Sequence, residues 1–247
     1  MDPDDEPDHD PRDGPDDRDG ARGGRGRAVV VGASSAIGAA VAHRLHRGGW
    51  SVEAWGRDPA SWTRSLPPCV RRRVDVTRRE DVEEALERGR GPLTTLVYAA
   101  GLFDWADTDR ADPGTWDELF EVNLTAAARV ARLAAPALLR AAPSSLVLLG
   151  STAAHRAFAH NAAYVASKHG LLGLADAVRA DLSAAGVAVS IVNPGMVAAG
   201  ASLLSDRGRE DPQSLLRADD VAEAVHYAAA APPHVCVSRL DLLPRSG

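Results

Sequence analysis

Lysine is almost missing from this chain: of 28 basic residues, 27 are arginine and the single lysine is Lys168. Asparagine is confined to Asn123, Asn161 and Asn193, and tyrosine to Tyr98, Tyr164 and Tyr227. Two cysteines, Cys69 and Cys236, are too few for a disulfide scaffold or a cysteine-built zinc cluster. No apolar run approaches the ~20 residues of a membrane span. The longest Ala/Leu-rich stretch, 124–142, is interrupted by Arg129, Arg132 and Arg140. The N-terminal region has no apolar core of a secretory signal. A broad basic footprint for nucleic acid is also lacking, because the net charge is -6. These absences lead us to expect a cytoplasmic protein of a reducing compartment, with no metal, no membrane partner and no nucleic-acid partner.

The acidity is local. Residues 1–27 hold ten acids and five arginines, which leaves residues 28–247 nearly neutral. Residues 1–27 are almost entirely Asp, Pro, Gly and Arg and cannot bury enough apolar surface to offset ordering entropy. We expect them to be disordered. Arg22-Gly23-Gly24-Arg25-Gly26-Arg27 has the look of an RNA-binding arginine-glycine segment, but it sits beside its own acids and reads more simply as a solvated tail. Residues 28–247 suit a single domain.

From Ala28 onward short apolar runs alternate with helical patterns. Strands are expected at Ala28–Val31, Trp50–Gly56, Val70–Val74, Leu93–Ala100, Ser145–Leu149, Val187–Val192 and His234–Leu242. Ile37, Val41 and Leu45 mark one helix face, closed by Gly48-Gly49. Thr77 and Glu80 have capping-box spacing, opening a helix to about Arg90. Asp112-Pro113 starts a helix reaching about Ala142, and Ala162–Ala185 forms another, closed by Gly186. A polar loop is expected over roughly 198–217, and Asp220 and Glu223 cap a last helix to about Ala231. The alternation predicts an α/β fold, a doubly wound parallel sheet of about seven strands with helices on both faces. Ligands of such sheets bind beyond the carboxyl ends of the strands.

Gly32, Ser34, Ser35, Ala36, Ile37 and Gly38 lie in the turn between the first strand and first helix. Gly32 permits a tight turn, Gly38 a close helix–strand approach, and the helix N-terminus then faces an anion such as a pyrophosphate. With Ala36 at the usual middle glycine, the turn also fits an ordinary strand–helix connection.

Tyr164 and Lys168 are four apart on a helix and share a face. An ammonium near a phenol stabilises phenolate and turns the Tyr into a usable general acid or base. A lone Lys falls four residues after one of three Tyr about once in eighty random placements, so an incidental surface pair is the weaker reading. Elsewhere the chain uses Arg, and a compact ammonium here suits a task that Arg cannot perform. Ser151, just after the fifth strand, can hydrogen-bond a substrate carbonyl or simply cap a turn. Asn123, inside an Ala-rich helix, can hold a water or a backbone group near the Lys, or face solvent.

Taken together, these residues resemble the short-chain dehydrogenase/reductase family in its short single-domain branch, over residues 28–243. The resemblance implies a Rossmann fold and an NAD(P)-dependent oxidoreductase that moves a hydride between the nicotinamide and a carbonyl or secondary alcohol. It assigns Tyr164 as proton donor, Ser151 as carbonyl binder, Lys168 as the group that lowers the Tyr164 pKa and holds the ribose, and Asn123 as support for a water relay to Lys168. Cofactor contacts are implied at Gly32, Ser34, Ser35, Ala36, Ile37, Gly38, Asp75, Val76, Ala100, Gly101, Tyr164, Lys168, Pro194, Gly195 and Val197. The helices 113–142 and 162–185 are implied to build a homodimer or homotetramer.

The chain departs from that family's pattern in several places. Tyr98-Ala99 stand where it usually has Asn-Asn, losing two amides that brace the central strand. Val31 and Ala199 each replace a common Thr. The second strand ends at Gly56 followed by Arg57, with no acid for the ribose hydroxyls, and a guanidinium suits a 2′-phosphate. We therefore expect NADP(H) over NAD(H). Phe103, Trp105, Phe158, His155 and His160 are candidates for the substrate wall, with residues 198–217 as an apolar lid, suggesting a small, moderately apolar substrate. The same scaffold would serve an isomerase, epimerase or dehydratase, and a nucleotide-sensing protein is a further alternative.

Overall fold

The computed structural model describes residues 24–58 and 66–245. The expected disorder of residues 1–23 lies outside the described residues. The strands are β1 (Arg27–Val31), β2 (Ser51–Gly56), β3 (Val70–Arg73), β4 (Leu93–Tyr98), β5 (Ser144–Leu149), β6 (Val187–Pro194) and β7 (Arg239–Leu242). All seven pair in parallel in the order β3-β2-β1-β4-β5-β6-β7. The helices are α1 (Ala36–Arg47), α2 (Arg79–Glu87), α3 (Pro113–Phe120), α4 (Ala126–Arg140), α5 (Ala162–Leu182), α6 (Asp206–Glu210) and α7 (Ala218–Ala229). The doubly wound sheet expected from the alternation is the sheet observed.

Strand periodicity divides the core in two. Val29, Val31, Leu96, Tyr98, Leu146 and Leu148 point to one face, where they meet Val82 of α2, Val130 and Leu138 of α4, and Leu171 of α5. Ala28, Val30, Val97 and Val147 point to the other, against Val41 and Leu45 of α1 and Val221 and Val225 of α7. Full burial of such a side chain stabilises the fold by roughly 1.5–3 kcal/mol. The register pairs Val31 with both Trp55 and Tyr98, and Tyr98 with Leu148. The carboxyl ends of β1, β2, β4 and β5 are thus level, and the segments after them emerge along one edge. Strand order reverses between β1 and β4, which opens a crevice there.

Several local expectations are corrected. The domain edge drawn between 27 and 28 falls inside β1. The Arg27 side chain is buried, and its guanidinium donates to Glu53 at 3.2 Å. Glu53, also buried, accepts from Trp55 Nε1 at 2.7 Å and from Arg72 as well. Arg25 lies over the Trp50 ring at 4.7 Å, so this end of the arginine-glycine segment packs on the domain. The capping box at Thr77 does not form; its hydroxyl donates to Asp75 at 2.7 Å, and α2 starts two residues later behind an uncapped Arg78. The helix expected over 113–142 runs unbroken to Arg140, but one π-turn at Glu121–Thr125 separates its α-helical parts α3 and α4. The presumed polar loop of 198–217 contains α6 and 3₁₀ turns at Gly200–Leu204 and Pro212–Ser214. The last strand is shorter than expected and starts at Arg239.

Removing one partner of a buried ion pair strands the other charge, at a cost of about 3–5 kcal/mol. Glu53→Ala is therefore expected to lower the unfolding free energy by about that amount in urea denaturation. A loss below about 1 kcal/mol would mean that Arg27 is not anchored by this carboxylate.

Candidate active site

The crevice at the strand reversal is lined by Gly32, Ser34, Ser35, Gly56, Arg57, Asp75, Val76, Ala99, Ala100, Gly101 and Val122, among others. The residues expected from the glycine turn, β2, β3 and β4 thus converge on one cleft. Gly32 has φ +81°, and a Cβ there would meet the Ala100 backbone nitrogen at 2.6 Å. A Cβ on Gly38 would fall 2.2 Å from the Gly32 carbonyl oxygen. Both positions therefore require glycine, one for its backbone conformation and both for close approach. Ser35 caps α1, accepting from Gly38 N–H and donating to the Gly32 carbonyl, each at 3.0 Å. Ala36 is the first residue of α1, where helical backbone suits alanine and no glycine is needed.

This cradle fits an anionic dinucleotide. The backbone comes close because no Cβ intervenes, and the N-terminus of a twelve-residue helix opens onto the cleft. Asp75 accepts from the backbone N–H of Thr77 at 3.0 Å and from its hydroxyl at 2.7 Å. Burial opposes the Asp75 charge, but those bonds and the nearby Arg57 and Arg78 leave its pKa below the usual carboxylate range. Arg57 is largely exposed and lies 3.7 Å from Glu118. Val197 is buried and pairs with Leu216 across an isolated bridge. Gly195 N–H donates to the Leu242 carbonyl at 2.7 Å, which ties the segment after Pro194 to β7.

Asn123 sits in the π-turn and is fully buried. Its amide clamps Leu102 from both sides, accepting from Leu102 N–H at 2.7 Å and donating to the Leu102 carbonyl at 3.0 Å. It also donates to Ser167 Oγ at 3.1 Å, and Ser167 donates to the Tyr164 carbonyl at 2.8 Å. The side chain thus holds backbone groups and Ser167, with both of its N–H donors engaged. A π-turn shifts the helical register by one residue, and here it is what brings Asn123 to this interior position. Asn123 Oδ1 and Lys168 Nζ both flank Gly101, at 3.4 and 3.8 Å from where its Cβ would stand.

Lys168 is buried, and its Nζ donates to the Leu149 carbonyl at 2.9 Å. The ammonium stands 5.6 Å from the centre of the Tyr164 ring. Burial pulls its pKa down to about 8. Desolvation raises the Tyr164 phenol above its ordinary pKa and outweighs the lowering by the neighbouring Ser151 hydroxyl. Ser151 also caps a 3₁₀ turn, accepting from Ala153 N–H at 3.1 Å. The reading of Ser151 as a turn cap therefore holds.

Three contributors were not anticipated. Tyr98, at the end of the central strand, donates its buried hydroxyl to the Val122 carbonyl at 2.6 Å. The phenol thus braces the π-turn next to Asn123, from a position where the resemblance implied a lost amide. Asn193 is fully buried and accepts from Ser151 N–H at 3.3 Å, while donating to Asp241 at 2.8 Å. His155 meets the same Asp241 oxygen at 2.9 Å, so the Ser151 segment is tied to β7. Ser167 completes the Asn123 network. Of these three residues Tyr98 and Asn193 carried a signal in the sequence, their rarity. Among the described residues no group of His, Cys, Asp or Glu could hold a metal ion, and no helix is long and apolar enough to cross a membrane.

Comparison with known proteins agrees with this geometry. A family model described as short chain dehydrogenase matches residues 27–208. An uncharacterized oxidoreductase of Staphylococcus aureus is 29% identical over 228 residues, covering 88% of this chain and 96% of that protein. One of Staphylococcus saprophyticus is 28% identical over the same span. Among solved structures, a variant of the actinorhodin polyketide ketoreductase with NADPH superposes with a TM-score of 0.80 at 26% identity, covering 88% of this chain and 95% of that one. The ligand-free aldohexose dehydrogenase of Thermoplasma acidophilum has a TM-score of 0.76 at 24% identity, with 88% and 92% covered, a likeness of fold alone.

Burial of Lys168 has a consequence for stability. Its folded pKa of about 8 lies below the ordinary 10.5, so between these values the unfolded chain holds a proton that the folded chain does not. Unfolding free energy therefore rises with pH across that window, on the order of 1 kcal/mol per unit. The penalty is full below the folded pKa and relieved above the unfolded one. Urea denaturation should show wild type gaining on Lys168→Met as the pH is raised from 7.5 to 9.5, on the order of 1–2 kcal/mol. Parallel curves for the two proteins would contradict it.

Proposed function

The chain belongs to the short-chain dehydrogenase family, and on that footing we propose that it is an NADP(H)-dependent oxidoreductase interconverting a carbonyl and a secondary alcohol on a small, moderately apolar molecule. The observation that carries this reading is the convergence of Ser151, Tyr164 and Lys168. Ser151 neighbours the Tyr164 hydroxyl, and Lys168 Nζ stands 5.6 Å from the Tyr164 ring centre and 3.8 Å from where a Cβ on Gly101, a residue of the cleft, would stand.

A nicotinamide dinucleotide held by the Gly32–Gly38 turn and the Asp75 side of the cleft would supply the hydride for the carbonyl carbon. Ser151 then donates a hydrogen bond to the carbonyl oxygen and holds it beside the Tyr164 hydroxyl. Tyr164 delivers its proton to that oxygen as negative charge develops there, yielding the alcohol. The phenolate left behind is stabilised by the Lys168 ammonium, which the Leu149 carbonyl aims from behind. Asn123 and Tyr98 act at one remove, fixing Leu102 and the π-turn so that the Gly101 backbone stays beside Lys168. In the oxidation direction each proton step runs backward.

The preference for NADP(H) rests on Arg57. An exposed pair such as Arg57–Glu118 is worth less than about 1 kcal/mol, so the guanidinium is free to exchange Glu118 for a 2′-phosphate. Binding of NADPH and NADH to wild type and Arg57→Ala tests this. NADPH is expected to bind more tightly than NADH, and the substitution to weaken NADPH about tenfold or more while leaving NADH nearly unchanged. Equal loss for both nucleotides would contradict the assignment of Arg57. If neither nucleotide binds, the oxidoreductase reading is overturned.

A further inference from the structure

Aromatic residues make up 4% of the chain, yet three of them and a histidine form one unbroken line of ring contacts leading away from the catalytic phenol. Phe103 stands edge-on to Tyr164, with centroids 4.9 Å apart and planes at 69°. Trp105 follows Phe103 at 6.2 Å and 38°. His160 follows Trp105 at 5.6 Å and 30°. The far end of the line is pinned twice. Ala106 N–H donates to the His160 carbonyl at 3.0 Å, and the His160 ring is hydrogen-bonded through Nδ1 to the Asp107 carboxylate. His160 is the one non-glycine residue with positive φ among those described, at 60°. Strained backbone of this kind persists where surrounding contacts over-determine it, and it clusters at ligand clamps.

The line is rigid at both ends and wet in the middle. Trp105 is 64% exposed and Phe103 42%. Two large apolar rings left largely in water, Phe103 edge-on to Tyr164 and Trp105 tilted against Phe103, make a prepared binding wall. We infer that this wall receives a flat aromatic portion of the substrate, so that the substrate class is a carbonyl compound carrying an aromatic ring at a distance from the reacting carbon. Offset stacking on Trp105 and edge contact with Phe103 discriminate a planar π-system from a saturated ring of the same size, because only the former matches the ring quadrupoles. The catalytic half of this inference rests on the proposed oxidoreductase reading; the binding half rests on ring geometry alone.

The test uses two ketones whose carbonyls have equal intrinsic reactivity, 4-(2-naphthyl)butan-2-one and its fully saturated decalin counterpart. In both, two methylenes insulate the carbonyl from the ring system. Binding is measured by ligand-observed NMR on the full chain, alone and with NADP⁺, and turnover by NADPH oxidation. The naphthyl ketone is expected to lead by about tenfold in affinity and in kcat/KM, and Trp105→Leu to bring both ratios toward one. A naphthyl preference in binding with no turnover of either ketone would uphold the aromatic wall and overturn the oxidoreductase reading. Turnover of both ketones at equal kcat/KM would overturn the wall and leave that reading standing. Neither preference nor turnover would overturn both.

Discussion

The hydrogen bond from Lys168 Nζ to the Leu149 carbonyl holds an ammonium that the fold otherwise strips of water. Burying a charge is expensive unless it is compensated, and one neutral carbonyl compensates it only in part. The pKa near 8 is the expression of that deficit. A site of this kind favours any arrangement that brings negative charge to the ammonium, and a phenolate at Tyr164 is such a charge. The raised phenol and the lowered ammonium are thus two consequences of one desolvated environment.

Placing that pair depends on the level carboxyl edge of the sheet. Leu149 is the last residue of β5, and its carbonyl is available because β5 ends there. Asn193, at the corresponding end of β6, holds Ser151 N–H and fixes where the chain leaves β5. On the other side, Tyr98 closes β4 and reaches the Val122 carbonyl, while Asn123 grips Leu102. These are backbone-directed bonds from side chains at strand ends and in one π-turn. Three consecutive strands thereby act as a rigid frame for chemistry carried by α5.

Much of this was legible in the sequence, for reasons of rarity and period. Alternating apolar runs foretold the sheet and its two helical layers, and the lone lysine four residues after a rare tyrosine marked the pair on which the proposed chemistry rests. Gly32 and Gly38 were readable because only glycine satisfies their backbone approach. What could not be read were contacts set by tertiary packing. Arg27 looked like tail because its neighbours are Gly and Arg, and only the buried Glu53, 26 residues on, draws it into β1. Thr77 had the spacing of a cap but found Asp75 closer. Tyr98 read as a loss because the missing amides were visible while the long reach of its hydroxyl to Val122 was not. The π-turn has no sequence signature of its own; an asparagine inside an alanine-rich helix was its sole trace.

The most direct test of the central claim, that Tyr164 is the proton donor in a carbonyl reduction, is the single-turnover rate of NADPH oxidation with a panel of ketones for wild type and Tyr164→Phe. The account predicts that both proteins form the NADPH complex and that the variant's rate falls by about 100-fold or more, since the ring is kept and only the transferable proton is removed. A variant that oxidises NADPH at the wild-type rate would contradict it.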